Sequence, residues 1–321
     1  MGRERKMIHA LKIGEIVYKN NLFVAPLAGY TDFAFRKLCY QFGAGLCFTE
    51  MVSSKGLVYG SEKTEELLHL DETETVTATQ IFGSDPYIMR QACESAALQK
   101  FRHIDINMGC PVPKLYKNGE GSALLNNFPL AEKIIKECKK SGKVITVKFR
   151  VGLEEDKLLA TEFAKLCEGA GADSITIHGR VRSNGHTGKV DYKQIASAKK
   201  AVQIPVIANG GIQNRQDALK TLQETGADGI MVARGAMENP HICSEILYDS
   251  PPTAWKKKES ILQQLSDMQK FYSDKFIIVQ MRKMIAFYSK GMPNSSIYRK
   301  QLFSCNSIVE LEKCITQIFT V

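Results

Sequence analysis

The stretch Ile104-Asp-Ile-Asn-Met-Gly-Cys-Pro111 is a short apolar strand that stops at a cysteine placed between a glycine and a proline. Glycine lets the backbone approach a neighbouring group closely, and proline stiffens the chain that leaves the strand. The pattern therefore predicts that Cys110 is presented at the carboxyl end of a strand, where its thiol can react, instead of being packed into a core.

Two further predicted strands end in small residues and glycine. They read Ala208-Asn-Gly-Gly211 and Ala233-Arg-Gly235, and strand ends of this kind suit a phosphate group. A reactive thiol and a phosphate site on one scaffold indicate an enzyme that uses a phosphorylated cofactor.

Eight strand-like runs recur along the chain, and each is followed by a segment with helical patterning. Their spacing of about 25 to 40 residues is too long for hairpins and suits β/α units. Near-continuous apolar character is typical of parallel strands that are buried on both faces. We therefore predict a closed (β/α)8 barrel with strands at Leu22–Ala25, Leu46–Thr49, Val76–Phe82, Ile104–Asn107, Val144–Phe149, Ser174–His178, Pro205–Ala208 and Gly229–Ala233.

An open, doubly wound sheet shares this alternation of strands and helices. Such a sheet often carries Gly-x-Gly-x-x-Gly after its first strand, but the corresponding turn here reads Pro26-Leu-Ala-Gly-Tyr30. The barrel is therefore favoured. Ahead of it, Ile13–Tyr18 and a turn at Lys19–Asn21 predict a hairpin that caps the bottom of the barrel.

The C-terminal part of the chain has a different pattern. Pro251-Pro252 break the last barrel segment, after which apolar residues recur at helical spacing without strand alternation. Ser307 followed by Glu310 predicts a helix start with a capping box. From residue 255 onward there are eleven Lys and Arg residues against five Asp and Glu, in a chain of formal net charge +9. We predict a barrel over residues 1–250 and a small basic helical domain over residues 251–321.

The composition excludes several classes of protein. The 321 residues are 44% hydrophobic, no apolar run is long enough to span a membrane, and the start of the chain lacks the apolar core of a secretory signal. These features predict a folded cytoplasmic protein. Nine cysteines at irregular spacing, without Cys-x-x-Cys, predict reduced and mostly buried thiols. Six histidines without a zinc-binding spacing predict no metal site.

Polar and reactive side chains close the predicted barrel strands, at the end where barrel enzymes build their active sites. Soluble proteins rarely bury a lone lysine, so Lys148 is expected to face an anion or the barrel mouth. The other residues of this set are Gln80, Asn107, Cys110, Arg150, His178, Arg180, Asn209 and Arg234.

These motifs together resemble those of the tRNA-dihydrouridine synthases, which are flavin enzymes that reduce uridine in transfer RNA, and are most similar to the bacterial B-type branch. Any single motif is weak, but their order and spacing over about 215 residues make coincidence implausible. The matching segments are Ala25–Asp32, Ser53–Ser54, Gln80–Pro86, Asp105–Pro111, Gly121–Leu125, Ile177–Arg180, Ile207–Gly211 and Arg234–Pro240.

The resemblance implies FMN as the cofactor and NADPH as the electron donor. It implies that Lys148 stabilises the anionic reduced flavin from beside its pyrimidine end. Ala233 departs from the family, which often has glycine there. The remaining implied FMN contacts are Pro26, Leu27 and Ala28 beside the ring, Gln80 at its polar edge, His178 at the ring or ribityl chain, and Asn209, Gly210, Gly211, Ala233, Arg234 and Gly235 around the phosphate.

The resemblance also implies a reaction and a substrate. Reduced flavin gives hydride to carbon 6 of uracil, and an acid must protonate carbon 5. Cys110 is our candidate acid, since a free thiol of pKa about 8.5 is mostly protonated near neutral pH. Transfer RNA is the expected partner of a monomeric protein. The candidate substrate contacts are Asn107, Arg180 and Lys114 near the barrel mouth, and Arg282, Lys283, Arg299 and Lys300 in the helical tail.

Each of these residues has a plainer interpretation. The amide of Asn107 could satisfy local backbone groups, and the tail cations could be solvated charges. At the level of function, alternatives are a small-molecule FMN dehydrogenase of the dihydroorotate dehydrogenase type, a barrel aldolase that uses Lys148 for a Schiff base, and an RNA-binding barrel without activity.

Overall fold

The computed structural model describes residues 7–319; the first six residues of the predicted barrel domain and the last two of the predicted helical domain lie outside them. Its strands are β1 (Leu11–Ile13), β2 (Ile16–Tyr18), β3 (Leu22–Val24), β4 (Leu46–Ser53), β5 (Ala78–Phe82), β6 (His103–Met108), β7 (Val144–Glu154), β8 (Lys157–Leu158), β9 (Ser174–Val181), β10 (Val206–Asn209) and β11 (Gly229–Val232).

The helices fall into two groups. Around the strands lie α1 (Phe33–Gln41), α2 (Ser54–Val58), α3 (Glu62–Glu66), α4 (Pro86–Glu94), α5 (Pro113–Lys117), α6 (Phe128–Lys139), α7 (Ala160–Gly169), α8 (Tyr192–Ala201), α9 (Arg215–Thr225), α10 (Arg234–Glu238) and α11 (Ile242–Tyr248). The helical tail consists of α12 (Ala254–Gln269), α13 (Asp274–Tyr288), α14 (Ser295–Ser304) and α15 (Ile308–Ile318), and short 3-10 helices occupy Ala96–Leu98 and Gly121–Asn126.

Eight parallel strands close into a barrel, which confirms the predicted (β/α)8 fold. The order around the ring is β3-β4-β5-β6-β7-β9-β10-β11, and β11 pairs with β3 in parallel. The pairing of β6 with β7, in register from His103 opposite Val144 to Met108 opposite Phe149, closes the ring. Every residue of β6 is buried, as expected for a strand covered on both faces.

Local sequence explains where the barrel helices begin. Asp32 accepts the backbone N–H of Phe35 at the start of α1, and Asp85 caps α4, whose first residue is Pro86. Such side chains satisfy donors that have no partner within the helix. These two caps start α1 and α4 directly after a loop that follows a strand. Such loops lie at the carboxyl ends of the strands.

The bottom of the barrel is covered by a hairpin, but its turn differs from the prediction. β1 and β2 pair antiparallel with Ile13 opposite Ile16, so the turn lies at Gly14 and Glu15 and not at Lys19–Asn21. Gly14 has φ of +55°, a conformation that glycine adopts without strain. Tyr18 on β2 points into the barrel, where its hydroxyl is 2.7 Å from Nδ1 of His103.

Three strands extend beyond their predicted ends by three or more residues. β4 continues to Ser53, β7 to Glu154, where it pairs with the two-residue strand β8, and β9 to Val181. Arg180 therefore belongs to β9, whereas the sequence analysis ended that strand at His178.

The helical tail forms where predicted. Ile261, Leu265 and Met268 on α12 are buried, as are Met281 and other apolar residues of α13, and Ser307 accepts the backbone N–H of Glu310 at the start of α15. The tail shares one hydrophobic cluster with the barrel helices. The separation of the chain into two domains at residue 250 stays a prediction. Among the described residues, no helix has the length and apolar character needed to cross a membrane.

Candidate active site

A cavity of about 380 Å³ opens at the carboxyl ends of the barrel strands. This volume is typical of sites for small molecules and cofactors. Its wall carries four cationic side chains and no Asp or Glu, so it is suited to an anion. It collects most of the predicted site residues: Pro26, Leu27, Ala28, Gln80, Asn107, Cys110, Lys148, His178, Arg180, Asn209, Gly210, Gly211, Ala233 and Arg234.

Cys110 lies in this wall directly after β6, as its sequence context predicts. It is half-buried, whereas the other eight cysteines, all within the described residues, are buried and free. Its backbone N–H donates to Oδ1 of Asn107 over 2.9 Å, and its carbonyl accepts the hydroxyl of Ser122 over 2.8 Å. Both of its peptide groups are thus fixed. Burial raises the pKa of the Cys110 thiol, against the opposing charges of Arg150 and Lys148, so the thiol is protonated near neutral pH.

Asn107 holds the loop that carries Cys110. Its Oδ1 also accepts the backbone N–H of Gly109 over 3.1 Å, and its Nδ2 donates to Oε1 of Gln80 over 2.8 Å and lies 3.4 Å from the sulfur of Met51. The amide is therefore engaged within the protein, which is the plainer interpretation that the sequence left open. The structure gives Asn107 a positioning role, and its predicted direct contact with substrate would need one of these bonds to be replaced.

Asp105 sets the orientation of these two amides. Its Oδ2 accepts Nε2 of Gln80 over 2.7 Å, and its Oδ1 accepts the hydroxyl of Thr146 over 2.6 Å. A carboxylate only accepts, so Gln80 must turn its NH2 group toward Asp105 and its oxygen toward Asn107. Burial raises the pKa of Asp105 to about 6, opposed by the bonds from Gln80 and Thr146.

The same chain of polar contacts continues to the bottom of the barrel. The hydroxyl of Thr146 lies 2.9 Å from Nε2 of His103, whose other ring nitrogen meets Tyr18. Burial lowers the pKa of His103 to about 3, so the ring is neutral and can donate from one nitrogen while accepting at the other. Polar groups inside the barrel are thus satisfied from the hairpin up to the cysteine loop.

Lys148 reaches into the cavity from β7. Its ammonium donates to Oδ1 of Asn209 at the end of β10 over 3.0 Å. Burial, followed by the nearby charge of Arg150, lowers the pKa of Lys148 to about 8, while Asp105 and Cys110 oppose the shift. Within residues 7–319, the hydrogen bond of this ammonium goes to an amide oxygen and not to a carboxylate, so its charge is prepared to bind an anion.

Arg150 is the main cavity residue whose role the sequence did not predict. Its guanidinium is almost fully buried and donates to the carbonyl of Gly109 over 2.8 Å and to the carbonyl of Gly185 over 2.7 Å. It thereby ties the cysteine loop to the loop after β9. The sequence signal that could have identified this role is the position of Arg150 two residues after Lys148, since alternate residues of a strand share a face. His186, Tyr30 and Gln213 also line the cavity without having been predicted.

Another part of the cavity wall is formed by two glycines and two arginines, namely Gly210, Gly211, Arg180 and Arg234. Gly210 and Gly211 have φ of +118° and +76°, and a Cβ at Gly210 would lie 2.9 Å from the ring of His178. Only glycine fits this backbone path. Arg180 donates to the carbonyl of Gly188 over 2.9 Å, and burial and the charge of Arg234 lower its pKa. Two adjacent cations beside close backbone form a suitable phosphate site.

His178 lines the cavity near both Arg180 and Lys148. Its Nε2 is 3.3 Å from a guanidinium nitrogen of Arg180. Burial, and then the charges of Lys148 and Arg150, hold the pKa of His178 well below its ordinary value. The imidazole is therefore neutral, and Nε2 can accept from Arg180.

Two predicted contacts near the mouth lie outside the cavity wall. Gly235 follows Arg234 but packs behind it, where a Cβ would approach the carbonyl of Ile212 to 2.5 Å. Lys114 is exposed on α5. Gly235 is thus required for packing, and Lys114 is free to meet a large substrate.

The four predicted cations of the tail differ in their surroundings. Arg299 and Lys300 are exposed on α14. Arg282 donates to the carbonyl of Cys305 and to Oδ1 of Asn306, and Lys283 donates to the carbonyl of Gly29 over 2.6 Å. Arg282 and Lys283 therefore make contacts within the chain, and their contact with substrate stays a prediction.

Among residues 7–319, no three His, Cys, Asp or Glu side chains come together in a way that could hold a metal ion.

Comparison with known proteins identifies the family of the chain. The family model "Dihydrouridine synthase (Dus)" matches residues 23–320. The chain is 37% identical over 298 residues to tRNA-dihydrouridine synthase B of Pasteurella multocida, covering 90% of each chain. It is 34% identical over 319 residues to the "Probable tRNA-dihydrouridine synthase" of Rickettsia conorii, covering 97% of this chain and 96% of that one.

Solved structures agree with the barrel at low sequence identity. The crystal structure of TcOYE with pHBA has a TM-score of 0.58 at 11% identity, covering 76% of this chain and 93% of that one. Histamine dehydrogenase from Rhizobium sp. 4-9 has a TM-score of 0.58 at 13% identity, covering 80% of this chain and 50% of that one. These likenesses extend to the fold alone. The family match and the two relatives, together with the cysteine loop and the cationic cavity, show that the chain belongs to the dihydrouridine synthase family.

Proposed function

We propose that the protein is a tRNA-dihydrouridine synthase, which reduces the C5=C6 bond of uridine in tRNA with FMN as cofactor. The observation that carries this proposal is the meeting of the Cys110 thiol and a carboxylate-free cationic wall in one cavity of a dihydrouridine synthase family member. The thiol is a proton source, and the wall suits a phosphorylated, electron-accepting ring.

The residues present fit FMN. Pro26, Leu27 and Ala28 form an apolar wall against which a flat ring can lie, and Lys148 offers a cation in the same cavity. At the other end, the backbone at Gly210 and Gly211 leaves no room for a Cβ but can approach a ligand. Arg234 and Arg180 would hold the phosphate, and Lys148 and Gln80 would hold the ring.

FMN, when bound and reduced, supplies the hydride for carbon 6 of uracil. As negative charge develops toward carbon 5, Cys110 donates the proton from Sγ to that carbon. Burial keeps this proton on the sulfur before the reaction, and Arg150 and Lys148 favour the thiolate that remains after it. Asn107 and Arg150 hold the backbone on both sides of the cysteine, so the thiol needs little reorganisation.

Lys148 has a separate task in this proposal. Its ammonium interacts more strongly with an electron-rich ring than with a neutral one, which favours reduction of the cofactor. The neutral ring of His178 sits beside it and adds no further positive charge. NADPH is the proposed source of electrons and is proposed to bind transiently at the open mouth of the cavity.

The tRNA is proposed to contact the rim and the tail while one extruded uridine enters the cavity. Reaching a base atom requires the nucleotide to leave its stack, and phosphate contacts must supply the binding energy outside the cavity. Lys114, Arg299 and Lys300 are exposed cations available for that purpose.

The proposal is tested by purifying the protein, identifying any released flavin by chromatography, and incubating it with an unmodified tRNA transcript and NADPH. Formation of dihydrouridine, detected by mass spectrometry of nucleosides, is the expected result. A flavin-containing protein that interconverts orotate and dihydroorotate but does not reduce tRNA would instead be a small-molecule dehydrogenase. A protein that binds tRNA but no flavin would refute the enzymatic proposal.

A further inference from the structure

The loop Pro26–Tyr30, which follows β3, forms one side of the cavity. Pro26, Leu27, Ala28 and Tyr30 line it, while Gly29 turns away with φ of +74°. The loop closes on itself through the bond from the Tyr30 N–H to the Leu27 carbonyl over 2.9 Å. The N–H and carbonyl groups of Gly29 are held from outside the loop.

Groups from two parts of the chain hold the Gly29 peptide. Its N–H donates to the carboxylate of Glu50 on β4. Its carbonyl accepts Nε2 of Gln280 and Nζ of Lys283, both over 2.6 Å and both from α13 of the helical tail. Gln280 and Lys283 are three residues apart, and therefore lie on one face of the helix.

A third residue of that helix face contacts the same loop. Phe287 packs edge-to-face on Tyr30 with ring centroids 5.6 Å apart, and Nζ of Lys283 lies 4.3 Å from the centroid of the Tyr30 ring. The stripe Gln280, Lys283 and Phe287 thus meets both Gly29 and Tyr30. A Cβ at Gly29 would come within 2.9 Å of Nζ of Lys283, so the fit of helix to loop is close.

The charges at this junction complement each other. Lys283 is half-buried and Gln280 is buried. Burial lowers the pKa of Lys283, while the nearby carboxylates of Glu50 and Asp32 oppose the shift. Asp32 is buried, and its Oδ2 has no hydrogen-bond partner in the described part of the chain. Lys283 thus bonds to a loop carbonyl, with the carboxylates of Glu50 and Asp32 in its electrostatic surroundings, and interacts with groups inside the protein.

We propose that Lys283 and Gln280 are positioning residues that fix the cavity-facing Pro26–Tyr30 loop from the helical tail, so that the tail sets how tightly the barrel holds its flavin. The part of this inference that concerns flavin rests on the function proposed above. The part that concerns the loop does not, because the contacts exist in the protein without any ligand.

The test compares Lys283→Met with Lys275→Met in the full-length protein. Lys275 is exposed on the same helix, so the control removes an equal charge without touching the loop. Hydrogen–deuterium exchange of the peptide covering residues 26–31 is expected to be at least tenfold faster in Lys283→Met and unchanged in the control. FMN release on dilution is expected to accelerate by a similar factor, and Lys283→Arg is expected to restore most of the loss.

Equal exchange of residues 26–31 in the two methionine variants would overturn the inference. It would also be overturned by a Lys283→Met protein that keeps its flavin but loses tRNA affinity in a salt-dependent way, because that result identifies a phosphate contact. If Lys283→Met fails to fold, Gln280→Ala, which leaves all charges in place, is expected to show the same faster exchange, and normal exchange there refutes the proposal. A wild-type protein without FMN would refute the proposed function, while the exchange measurement would still decide the role of the tail.

Discussion

Oδ1 of Asn107 accepts the backbone N–H of Cys110 over 2.9 Å, and the same oxygen accepts the N–H of Gly109. One side chain at the end of β6 thus fixes the first turn of the loop that carries the thiol. The orientation of that side chain depends in turn on Gln80 and Asp105, so the position of Cys110 is set by a polar chain within the barrel.

Asn107→Ala is expected to release the cysteine loop. Two hydrogen bonds to backbone groups are lost, which should lower the free energy of unfolding by about 1–3 kcal/mol. Dihydrouridine formation should fall at least tenfold, with little change in tRNA affinity. Asn107→Asp keeps an acceptor for both N–H groups but places a carboxylate oxygen against Oε1 of Gln80, so it too is expected to lose stability, and urea unfolding measures both variants. An alanine variant with wild-type stability and turnover would show that the cysteine loop needs no such support.

Gly121 lies against Cys110 and provides a second test of thiol placement. A Cβ at Gly121 would lie 2.9 Å from the carbonyl oxygen of Cys110 and 3.2 Å from its Cβ. Gly119 also has a positive φ, but a Cβ there meets nothing closer than 3.9 Å. Gly121→Ala should therefore reduce turnover at least tenfold more than Gly119→Ala, because both variants carry the backbone strain of about 1–2 kcal/mol but only the first displaces the cysteine.

Turnover and thermal unfolding of these two alanine variants would be measured side by side. Equal turnover at equal stability would mean that displacing Cys110 by a few tenths of an ångström has no chemical consequence, contrary to the account.

The lowered pKa of Lys148 predicts that FMN binding depends on pH. Its pKa is lowered to about 8, so its positive charge is present below that pH and is lost as the pH rises through it. The affinity of the apoprotein for FMN should therefore decrease as the pH rises through about 8. Lys148→Met should bind FMN about tenfold more weakly at neutral pH and show no step in this range. Fluorescence titration of FMN measures both curves, and curves that run parallel in the two proteins would contradict the assignment.

Arg299 and Lys300 are the exposed cations of α14 and are expected to contact tRNA phosphates. Changing both to Gln should weaken tRNA binding, more at low salt than at high salt, and reduce the log–log salt slope by about one per lost contact. Lys133 and Lys165 on α6 and α7 are exposed as well, and changing both to Gln removes the same charge from the barrel side. An equal effect of the two double variants would show that the overall positive charge attracts tRNA, without specific contacts at α14.

The sequence predicted the barrel because buried parallel strands leave a strong signal. β6 is buried on both faces and ends in a glycine-containing loop, so the position of the strand and the exposure of Cys110 could both be inferred. Strand ends were less visible. β9 runs through His178 and Arg180 to Val181, because polar residues there are satisfied inside the cavity and do not mark a loop.

The roles of the cations could not be separated from sequence. Lys283 and Arg299 are both basic residues on amphipathic helices, and only packing shows that the first meets the Gly29 carbonyl while the second is exposed. The same holds for Arg150, whose buried bonds to three backbone carbonyls depend on segments that lie far apart in the chain. Long-range contacts of this kind leave no local pattern.

The central claim is that the sulfur of Cys110 gives the proton to carbon 5 of uracil. It is tested most directly by single-turnover reaction of pre-reduced, flavin-loaded Cys110→Ala with an unmodified tRNA transcript. Loss of a general acid should slow dihydrouridine formation at least about a hundredfold, while flavin content and tRNA affinity remain those of the wild type. Dihydrouridine formation by this variant at the wild-type rate would contradict the account.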